Sequence, residues 1–180
     1  DYWTFGSVSN GIDFGELPHA VSYSGGTGDG SRAISHDDGA EIGYFTMGVQ
    51  GTGLDFGNKN ENYNNSGAVM TNGSRGVLSG GYPANTDRME YVTIGVLSNG
   101  ADFGNTTQAR RNSGAVDDGS RGLTCGGYTT SSVNTMDYIN IGTVGNAIDF
   151  GNTIGEGGTY HGVGGCSDGS RGILHNATVL

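Results

Sequence analysis

The sequence is poor in proline, cysteine and positive charge. Its 180 residues include two prolines and two cysteines, and eight lysines and arginines stand against eighteen aspartates and glutamates. The cysteines, Cys125 and Cys166, show no metal-ligand spacing, so we expect free, half-buried thiols that leave the redox compartment open. The net charge of −10 repels phosphate backbones and anionic lipid. We therefore expect no nucleic-acid partner.

Long apolar runs are also missing. No stretch approaches the roughly 18 apolar residues of a membrane-spanning helix, and no basic and apolar leader opens the chain, so we expect no membrane insertion. Leu, Ile, Val and Phe make up about 19 % of the chain, a share that with this net charge is typical of disorder. However, the 37 glycines, nine tyrosines and six phenylalanines recur at regular spacing. Regular glycines are typical of the turns of a folded repeat.

Two short motifs mark the repeat. The tripeptide Asp-Phe-Gly occurs four times, at intervals of 42, 47 and 47 residues. Its aspartates and phenylalanines are Asp13, Phe14, Asp55, Phe56, Asp102, Phe103, Asp149 and Phe150. The tripeptide Gly-Ser-Arg follows an Asp or Asn in each unit and supplies Arg32, Arg75, Arg121 and Arg171. Asp-Gly or Asn-Gly between alternating apolar and small residues predicts a β-hairpin in which both central residues take positive φ.

Each unit of about 46 residues contains four short strand candidates and no helical apolar stripe. When the copies are aligned, one set of four is RRNSGAV, RGLTCGGY, MDYINIG and NAIDFG, between residues 110 and 151. A four-stranded meander cannot bury both faces alone, and an all-β period of roughly 40 to 50 residues is typical of a β-propeller. A β-solenoid is the alternative. We therefore predict one all-β propeller domain over 1–180, with units at approximately 1–40, 41–88, 89–135 and 136–180.

The two ends of the sequence predict how the ring closes. The sequence starts within a third strand, DYWTFG, and finishes in or just after a second strand, RGILHNATVL. If the ring closes, the first two strands of one blade come from the C-terminal end and the last two from the N-terminal end. This interlock predicts four complete blades.

The repeated residues predict a scaffold, with no metal or cofactor. A hard metal ion needs about six or more oxygen ligands, and the repeated aspartates have mostly apolar or glycine neighbours. The acidic turns around Asp117, Asp118 and Asp168 lack the spacing of a calcium loop. We expect the repeated arginines to bond either these aspartates or carbonyls at blade edges, because a guanidinium serves several acceptors. The phenylalanines are expected to pack between blades.

No catalytic residue stands out. The four histidines occupy different positions in their units, no serine lies in a nucleophile elbow, and no pair of carboxylates breaks the repeat. We therefore predict that the chain is not an enzyme.

The segments that depart from the repeat are the candidates for binding, since function is added to a scaffold by its exceptions. They are rich in Asn, Thr and Tyr and lie at 16–25, 58–65, 83–88, 129–134 and 154–162. A tyrosine ring stacks on a sugar face and an amide bonds sugar hydroxyls. The candidate binding residues are Tyr23, Asn62, Tyr63, Tyr160 and His161. The alternative is that these residue types simply suit turns.

Two units resemble the kelch repeat. In RGVLSGGY…MEYVTIG (75–95) and RGLTCGGY…MDYINIG (121–142), a double glycine follows the second strand and a tyrosine lies in the third. The kelch tryptophan after that tyrosine is missing, and the units at each end lack the double glycine. The whole unit is more similar to kelch-like repeats in structural proteins of tailed bacteriophages, especially marine and cyanobacterial ones.

This resemblance implies a location on the virion, as a tail fibre, appendage or capsid decoration. The expected partners are other virion proteins or a host-surface glycan, and the oligomeric state stays open. Two alternatives are a cellular kelch-type protein-interaction propeller and, less favoured, a carbohydrate-active enzyme.

Overall fold

The computed structural model describes residues 1–20, 24–36, 39–60, 68–81, 84–154 and 164–175. The regular structure in these ranges is β-strand, which confirms the predicted all-β class. The strands are β1 (Gly25–Gly28), β2 (Arg32–His36), β3 (Glu41–Thr46), β4 (Leu54–Asn58), β5 (Ala68–Thr71), β6 (Arg75–Ser79), β7 (Thr86–Thr93), β8 (Ala101–Arg110), β9 (Gly114–Asp117), β10 (Arg121–Cys125), β11 (Thr135–Asn140), β12 (Ile148–Asn152), β13 (Gly164–Ser167) and β14 (Gly172–His175).

The strands form antiparallel meanders in chain order. Strands β1–β4 make sheet 1, β5–β8 make sheet 2 and β9–β12 make sheet 3, and β13 and β14 make a two-stranded half-sheet. The four strand candidates predicted between residues 110 and 151 correspond to the four strands of sheet 3. Residues 1–15, which we call the N-terminal hairpin, are held by an antiparallel bridge between Tyr2 and Ile12.

The first two strands of each unit are joined by the Asp-Gly-Ser or Asn-Gly-Ser turn. Gly119 takes φ 82° there. Asp118 Oδ1 accepts hydrogen bonds from the amides of Ser120 and Arg121, at 2.8 and 2.6 Å. The hairpin prediction is confirmed, but the prediction that both central residues take positive φ is wrong. Only the glycine does, because the aspartate serves the turn through its side chain.

The Asp-Phe-Gly tripeptide forms a bulge on the fourth strand. The strand register shifts opposite it, between Met89 and Glu90 in sheet 2. Asp102 Oδ1 accepts the amide of Gly104 at 3.2 Å. Gly104 has φ +131°, and a Cβ added there would overlap the carbonyl oxygen of Gly145 in sheet 3. The glycine therefore gives the bulge its backbone conformation and lets the next sheet approach.

Backbone hydrogen bonds connect consecutive sheets. The loop between β11 and β12 donates from Gly145 to the carbonyl of Phe103 at 2.7 Å, and from Ala147 to that of Asn105 at 2.8 Å. In return the Asn105 amide donates to Asn146 Oδ1 at 3.0 Å. The first strands also touch in the order β1, β5, β9 and β13. Each sheet is therefore fixed to the next one along the chain.

The hydrophobic cores lie between sheets. One cluster joins Ile34, Ile42 and Phe56 of sheet 1 to Val92 and Ile94 of sheet 2. A second joins sheet 2 to sheet 3 and contains Met70, Val77, Met89, Phe103, Ile139 and Ile141. Burying one such side chain stabilises the fold by roughly 1.5–3 kcal/mol. Since both clusters need two sheets, no sheet is stable alone.

The predicted interlock is not formed in the part of the chain that the structure describes. The N-terminal hairpin packs on sheet 1, where the ring of Phe14 meets that of Phe45 with centroids 5.7 Å apart. At the other end, β13 and β14 contact β9 of sheet 3. Phe5 of the hairpin stays 99 % exposed. The N-terminal hairpin and the half-sheet therefore do not pair with each other within the described residues.

Candidate functional site

Repeated and unit-specific segments leave the sheets at opposite ends of the strands. In an antiparallel meander, successive connections alternate between these two ends, which are called edges below. The Gly-Ser-Arg turns and the loops before Asp-Phe-Gly leave at one edge, which we call the repeat edge. The connections between second and third strands, and those between sheets, leave at the other, which we call the variable edge. The strand ends that flank the five unit-specific segments, at 16–25, 58–65, 83–88, 129–134 and 154–162, lie at the variable edge.

The five candidate binding residues lie outside the described residues. They are Tyr23, Asn62, Tyr63, Tyr160 and His161. The best-described part of the variable edge belongs to sheets 2 and 3.

Arg111 and Tyr128 form the centre of that part. Their backbones exchange two hydrogen bonds, of 3.0 and 2.8 Å. The Arg111 guanidinium lies 4.6 Å from the centroid of the Tyr128 ring, and its Nη1 donates to Asn85 Oδ1 at 3.4 Å. Gly127 makes this pairing possible, because it takes φ +109° and a Cβ there would be 2.8 Å from the Arg111 carbonyl. An arginine, an aromatic ring and an amide are thus held together at the surface.

A buried ion pair lies beneath this surface. Arg110 Nη2 donates to Asp137 Oδ2 at 2.7 Å and to the carbonyl of Thr124 at 3.2 Å. The backbone amide of Thr107 donates to Asp137 at 3.3 Å, and its hydroxyl donates to the same carboxylate. Breaking a buried pair by removing one partner typically costs about 3–5 kcal/mol. This pair therefore fixes the end of β8 against sheet 3.

Burial also controls the thiol beside the ion pair. It raises the pKa of Cys125 to about 11, although the positive charge of Arg110 acts in the opposite direction. Cys125 is buried and Cys166 is exposed, and both are free.

Sequence reasoning missed the ion pair, although a signal for it exists. Asp137 precedes the third-strand tyrosine of its unit, and Glu90 holds the same place in the unit before it. Glu90 accepts the Asn60 amide at 2.9 Å, as Asp137 accepts that of Thr107. A carboxylate before that tyrosine therefore binds the preceding sheet. The partner Arg110 is not part of the repeat, so the pattern does not predict it.

The repeated arginines bond main-chain carbonyls. Arg32 Nη1 donates to the carbonyl of Ile94 at 2.6 Å, and Arg75 Nη1 to that of Ile141 at 3.0 Å. Their guanidinium groups also stack on third-strand tyrosines, as Arg75 does at 4.3 Å from the centroid of Tyr91. Of the two predicted arrangements, these arginines adopt the bond to a carbonyl of the next sheet. Arg121 stacks on Tyr138 in the same way, and Arg171 bonds Asp168 within its own turn.

The repeated aspartates and phenylalanines have separate roles. Each aspartate accepts the amide of the glycine two residues later, at 3.0 to 3.2 Å. Each phenylalanine packs edge-on against a tyrosine, as Phe103 does with Tyr91 at a centroid distance of 6.1 Å. Phe56 and Phe103 are 2 % exposed, whereas Phe150 is 47 % exposed. The repeat residues are therefore engaged in the scaffold.

A cavity of about 860 Å³ lies between the N-terminal hairpin and sheet 1. Tyr2, Phe14 and Phe45 supply an aromatic lining, and His19 and Glu16 supply polar groups. His19 Nδ1 lies 3.3 Å from a carboxylate oxygen of Glu41. This cavity was not predictable from the sequence, because it depends on how the hairpin packs on sheet 1.

No protein-family model and no curated protein matches this sequence. A solved structure does match: a fungal alcohol oxidase of the AA5 family, in complex with copper, with a TM-score of 0.59 and 14 % identity. What the two chains share is a fold. The match covers 76 % of this chain and 32 % of the oxidase chain, so this chain spans about a third of that protein.

This comparison contradicts the prediction that the chain is not an enzyme. The similar structure is that of an alcohol oxidase, so this architecture does not exclude catalysis. Within the described residues, no three His, Cys, Asp or Glu side chains come together as a possible metal site. No helix within the same ranges is long and apolar enough to cross a membrane.

Proposed function

We propose that this chain is a β-propeller-type structural and binding module of a bacteriophage particle, and that its variable edge binds a neutral host-surface glycan. One observation carries the proposal: the strand ends that flank every unit-specific segment lie at the variable edge. The repeat residues are engaged in the scaffold, the aspartates within their own bulges and Arg32 and Arg75 in bonds to the next sheet. Sequence variation at one edge of a constant scaffold is typical of a binding surface.

The packing of the sheets supports the propeller. Four-stranded meanders that contact each other through their first strands, with cores between them, match the blades of that fold. The kelch-type double glycine also has a role here, since Gly127 allows Tyr128 to pair with Arg111. The similarity of whole units to kelch-like repeats of phage structural proteins supports the virion location.

The chemistry of the described variable edge supports a sugar ligand. Tyr128 presents an aromatic ring, Asn85 an amide and Arg111 a guanidinium with several donors. Rings and fixed polar groups of this kind bind the apolar faces and hydroxyls of a sugar. The net charge of −10 disfavours an acidic glycan, which is why we specify a neutral one.

The test is binding to a glycan array and to host cells, with and without Tyr128→Ala. We expect wild type to bind neutral glycans and the variant to lose at least about tenfold in affinity, the loss of one to two good contacts. Val144→Ser, at the repeat edge, is the matched control and should bind like wild type. Circular dichroism checks that both variants fold.

Two further variants extend the test to segments outside the described ranges, Tyr63→Ala and Tyr160→Ala. The proposal fails if wild type binds no neutral glycan, or if Val144→Ser weakens binding as much as Tyr128→Ala. Binding to other virion proteins but to no glycan would assign the variable edge to particle assembly instead.

A further inference from the structure

Each fourth-strand phenylalanine in sheets 1 and 2 is covered by the next sheet. Phe56 is covered by Val92 and Ile94, and Phe103 by Ile139 and Ile141. All four covering residues are at most 4 % exposed. The cover always comes from the same two positions of a third strand, two residues apart.

The corresponding face of sheet 3 is open. Phe150 is 47 % exposed, against 2 % for Phe56 and Phe103. Gly151 repeats the backbone conformation of Gly104, with φ +125°, yet a Cβ there would have open space around it. The bulge of sheet 3 is thus shaped for a neighbouring loop and has none against it in the described part of the chain.

The N-terminal hairpin carries the residues that this face needs. By alignment of DYWTFG with DYINIG at 137–142, Trp3 corresponds to Ile139 and Phe5 to Ile141. Ile139 and Ile141 are buried, whereas Trp3 is 60 % and Phe5 99 % exposed. Asn10 holds the position of Asn146, which accepts the amide of Asn105. The equivalent donor on sheet 3 is the amide of Asn152.

The half-sheet β13–β14 and sheet 1 also lack a packing partner that the complete sheets have. In the complete sheets, a first-strand side chain packs on the second strand of the next sheet, as Met70 does on Gly122 and Val116 on Gly172. The next members of this series are Cys166 and Ala33. Cys166 is exposed, and Ala33 lines the cavity of about 860 Å³. That cavity lies where a first and second strand would pack on sheet 1.

We infer that the half-sheet β13–β14 of one copy of this chain and the N-terminal hairpin of a second copy form one composite four-stranded blade. The hairpin covers Phe150 of the first copy with Trp3 and Phe5. The half-sheet fills the cavity of the second copy. Within a single copy the two halves do not pair in the described residues, since β13 and β14 form a two-stranded sheet, Tyr2 pairs with Ile12, and Phe5 is 99 % exposed. The surface is therefore an interface between copies.

The number of sheets in residues 1–180 bears on the size of the assembly. The described residues contribute three complete sheets and two halves. Propellers have about four to eight blades, so two copies of this segment joined at both junctions would close a ring of about eight. This inference depends on the packing between sheets and does not require a ligand at the variable edge.

The first experiment measures the mass of the 180-residue chain by native mass spectrometry and light scattering. We expect a dimer of the 18.4 kDa chain. Phe5→Asp and Ile173→Asp should each give a folded monomer, because both residues are exposed in a single copy. Val8→Ser is the control on the same hairpin and should remain dimeric, since its counterpart Val144 stays exposed beside an intact junction.

A mixing experiment uses the two halves separately. Phe5→Asp and Ile173→Asp monomers mixed in equal amounts can form one composite blade with neither substitution, so dimer should reappear. A monomeric wild type, or a Phe5→Asp variant that stays dimeric, overturns the inference.

A cross-link distinguishes two copies from closure within one chain. Arg121 lies opposite Asn140 and Arg75 opposite Thr93, a register that puts Arg171 opposite Thr4. In a Cys166→Ser background, oxidation of a mixture of Thr4→Cys and Arg171→Cys chains should give a covalent dimer. If a chain carrying both cysteines instead forms an internal disulfide and stays monomeric, the second copy is excluded.

Discussion

Asp118 and its counterparts hold each turn at the repeat edge through one carboxylate oxygen. Hydrogen bonds from the amides of Arg121 and Ser120 lower the pKa of Asp118 to about 2. Asp168 shows the same shift from the same kind of bonds, and the pKa of Asp29 is also lowered. In the second unit Asn72 makes the same three hydrogen bonds without a charge. The turn thus needs a side-chain oxygen acceptor, and its stability depends on pH only where that acceptor is an aspartate.

This comparison predicts the effect of Asp118→Asn. A carboxylate whose pKa is lower in the folded than in the unfolded state stabilises the fold above the unfolded value of 3.8, and this contribution is lost as the pH falls towards 2. Asp118→Asn keeps the acceptor but not the charge, so it should be less stable than wild type at pH 7, lose less stability between pH 4 and pH 2, and approach wild type at pH 2. Urea unfolding at pH 7, 4, 3 and 2 measures this.

Asp118→Ala is the control that removes the acceptor. It should be less stable than wild type at pH 7, because the amides of Ser120 and Arg121 lose their partner. Equal stability of the Asn and Ala variants would show that the oxygen does not hold the turn.

The repeated tripeptide shows how far residue patterns alone lead. Four copies of Asp-Phe-Gly indicated a structural element and placed the phenylalanines between sheets, as Phe56 and Phe103 are. The role of the aspartate was not predictable, because Asp102 bonds Gly104 within a bulge. A bulge depends on the register of two strands. A list of residue types does not contain that register.

At the scale of the elements, the bulge glycine is what lets one sheet approach the next. Gly104 and Gly151 share a positive φ, but only Gly104 has the backbone of the next sheet against it. Comparing Gly104 with Gly151 therefore distinguishes two effects of a glycine: the backbone conformation that it adopts and the space that its missing side chain leaves.

We therefore predict that Gly104→Ala destabilises the protein more than Gly151→Ala does. Gly151→Ala should cost about 1–3 kcal/mol of backbone strain in a monomer. Gly104→Ala should cost more, because its Cβ would also overlap the carbonyl of Gly145. The measurement is urea unfolding of both variants in the Phe5→Asp background, which removes association. Equal losses would mean that sheet 3 shifts to accommodate the methyl group.

The strands were predictable because their signals are local. Alternating side chains and the Gly-Ser-Arg turns identified all four strands of sheet 3 from the sequence. The way the ring closes was not predictable, because closure depends on the angle between neighbouring sheets summed over all sheets.

The variable edge is defined by the strand topology. The pairing of Arg111 with Tyr128 at that edge depends in addition on the backbone conformation of Gly127.

On the scale of the whole molecule, stability is expected to vary along the stack. Sheet 2 packs on a sheet at each side, whereas the N-terminal hairpin and the β13–β14 half-sheet each pack on one. In proteins built from stacked units, stability follows the number of neighbour interfaces. The comparison with the oxidase adds that such a stack does not by itself exclude catalysis.

Hydrogen exchange measures this gradient. In the monomeric Phe5→Asp variant, amides of β6 and β7 should exchange most slowly, and those of residues 1–15 and of β13–β14 most rapidly. In the wild-type dimer the two ends should gain protection while β6 and β7 change little. If all strands of the monomer exchanged at the same rate, stability would not follow the number of neighbouring sheets, and the prediction would be wrong.

Arg32 and Arg75 reach the neighbouring sheet through main-chain carbonyls, and the loops before Asp55, Asp102 and Asp149 dock through amides and carbonyls as well. Every residue offers those groups, whatever its side chain. A duplicated unit would therefore find its acceptors on any neighbour from the moment it arose. Tandem duplication and recombination can lengthen such a protein or exchange its units without waiting for compensating substitutions.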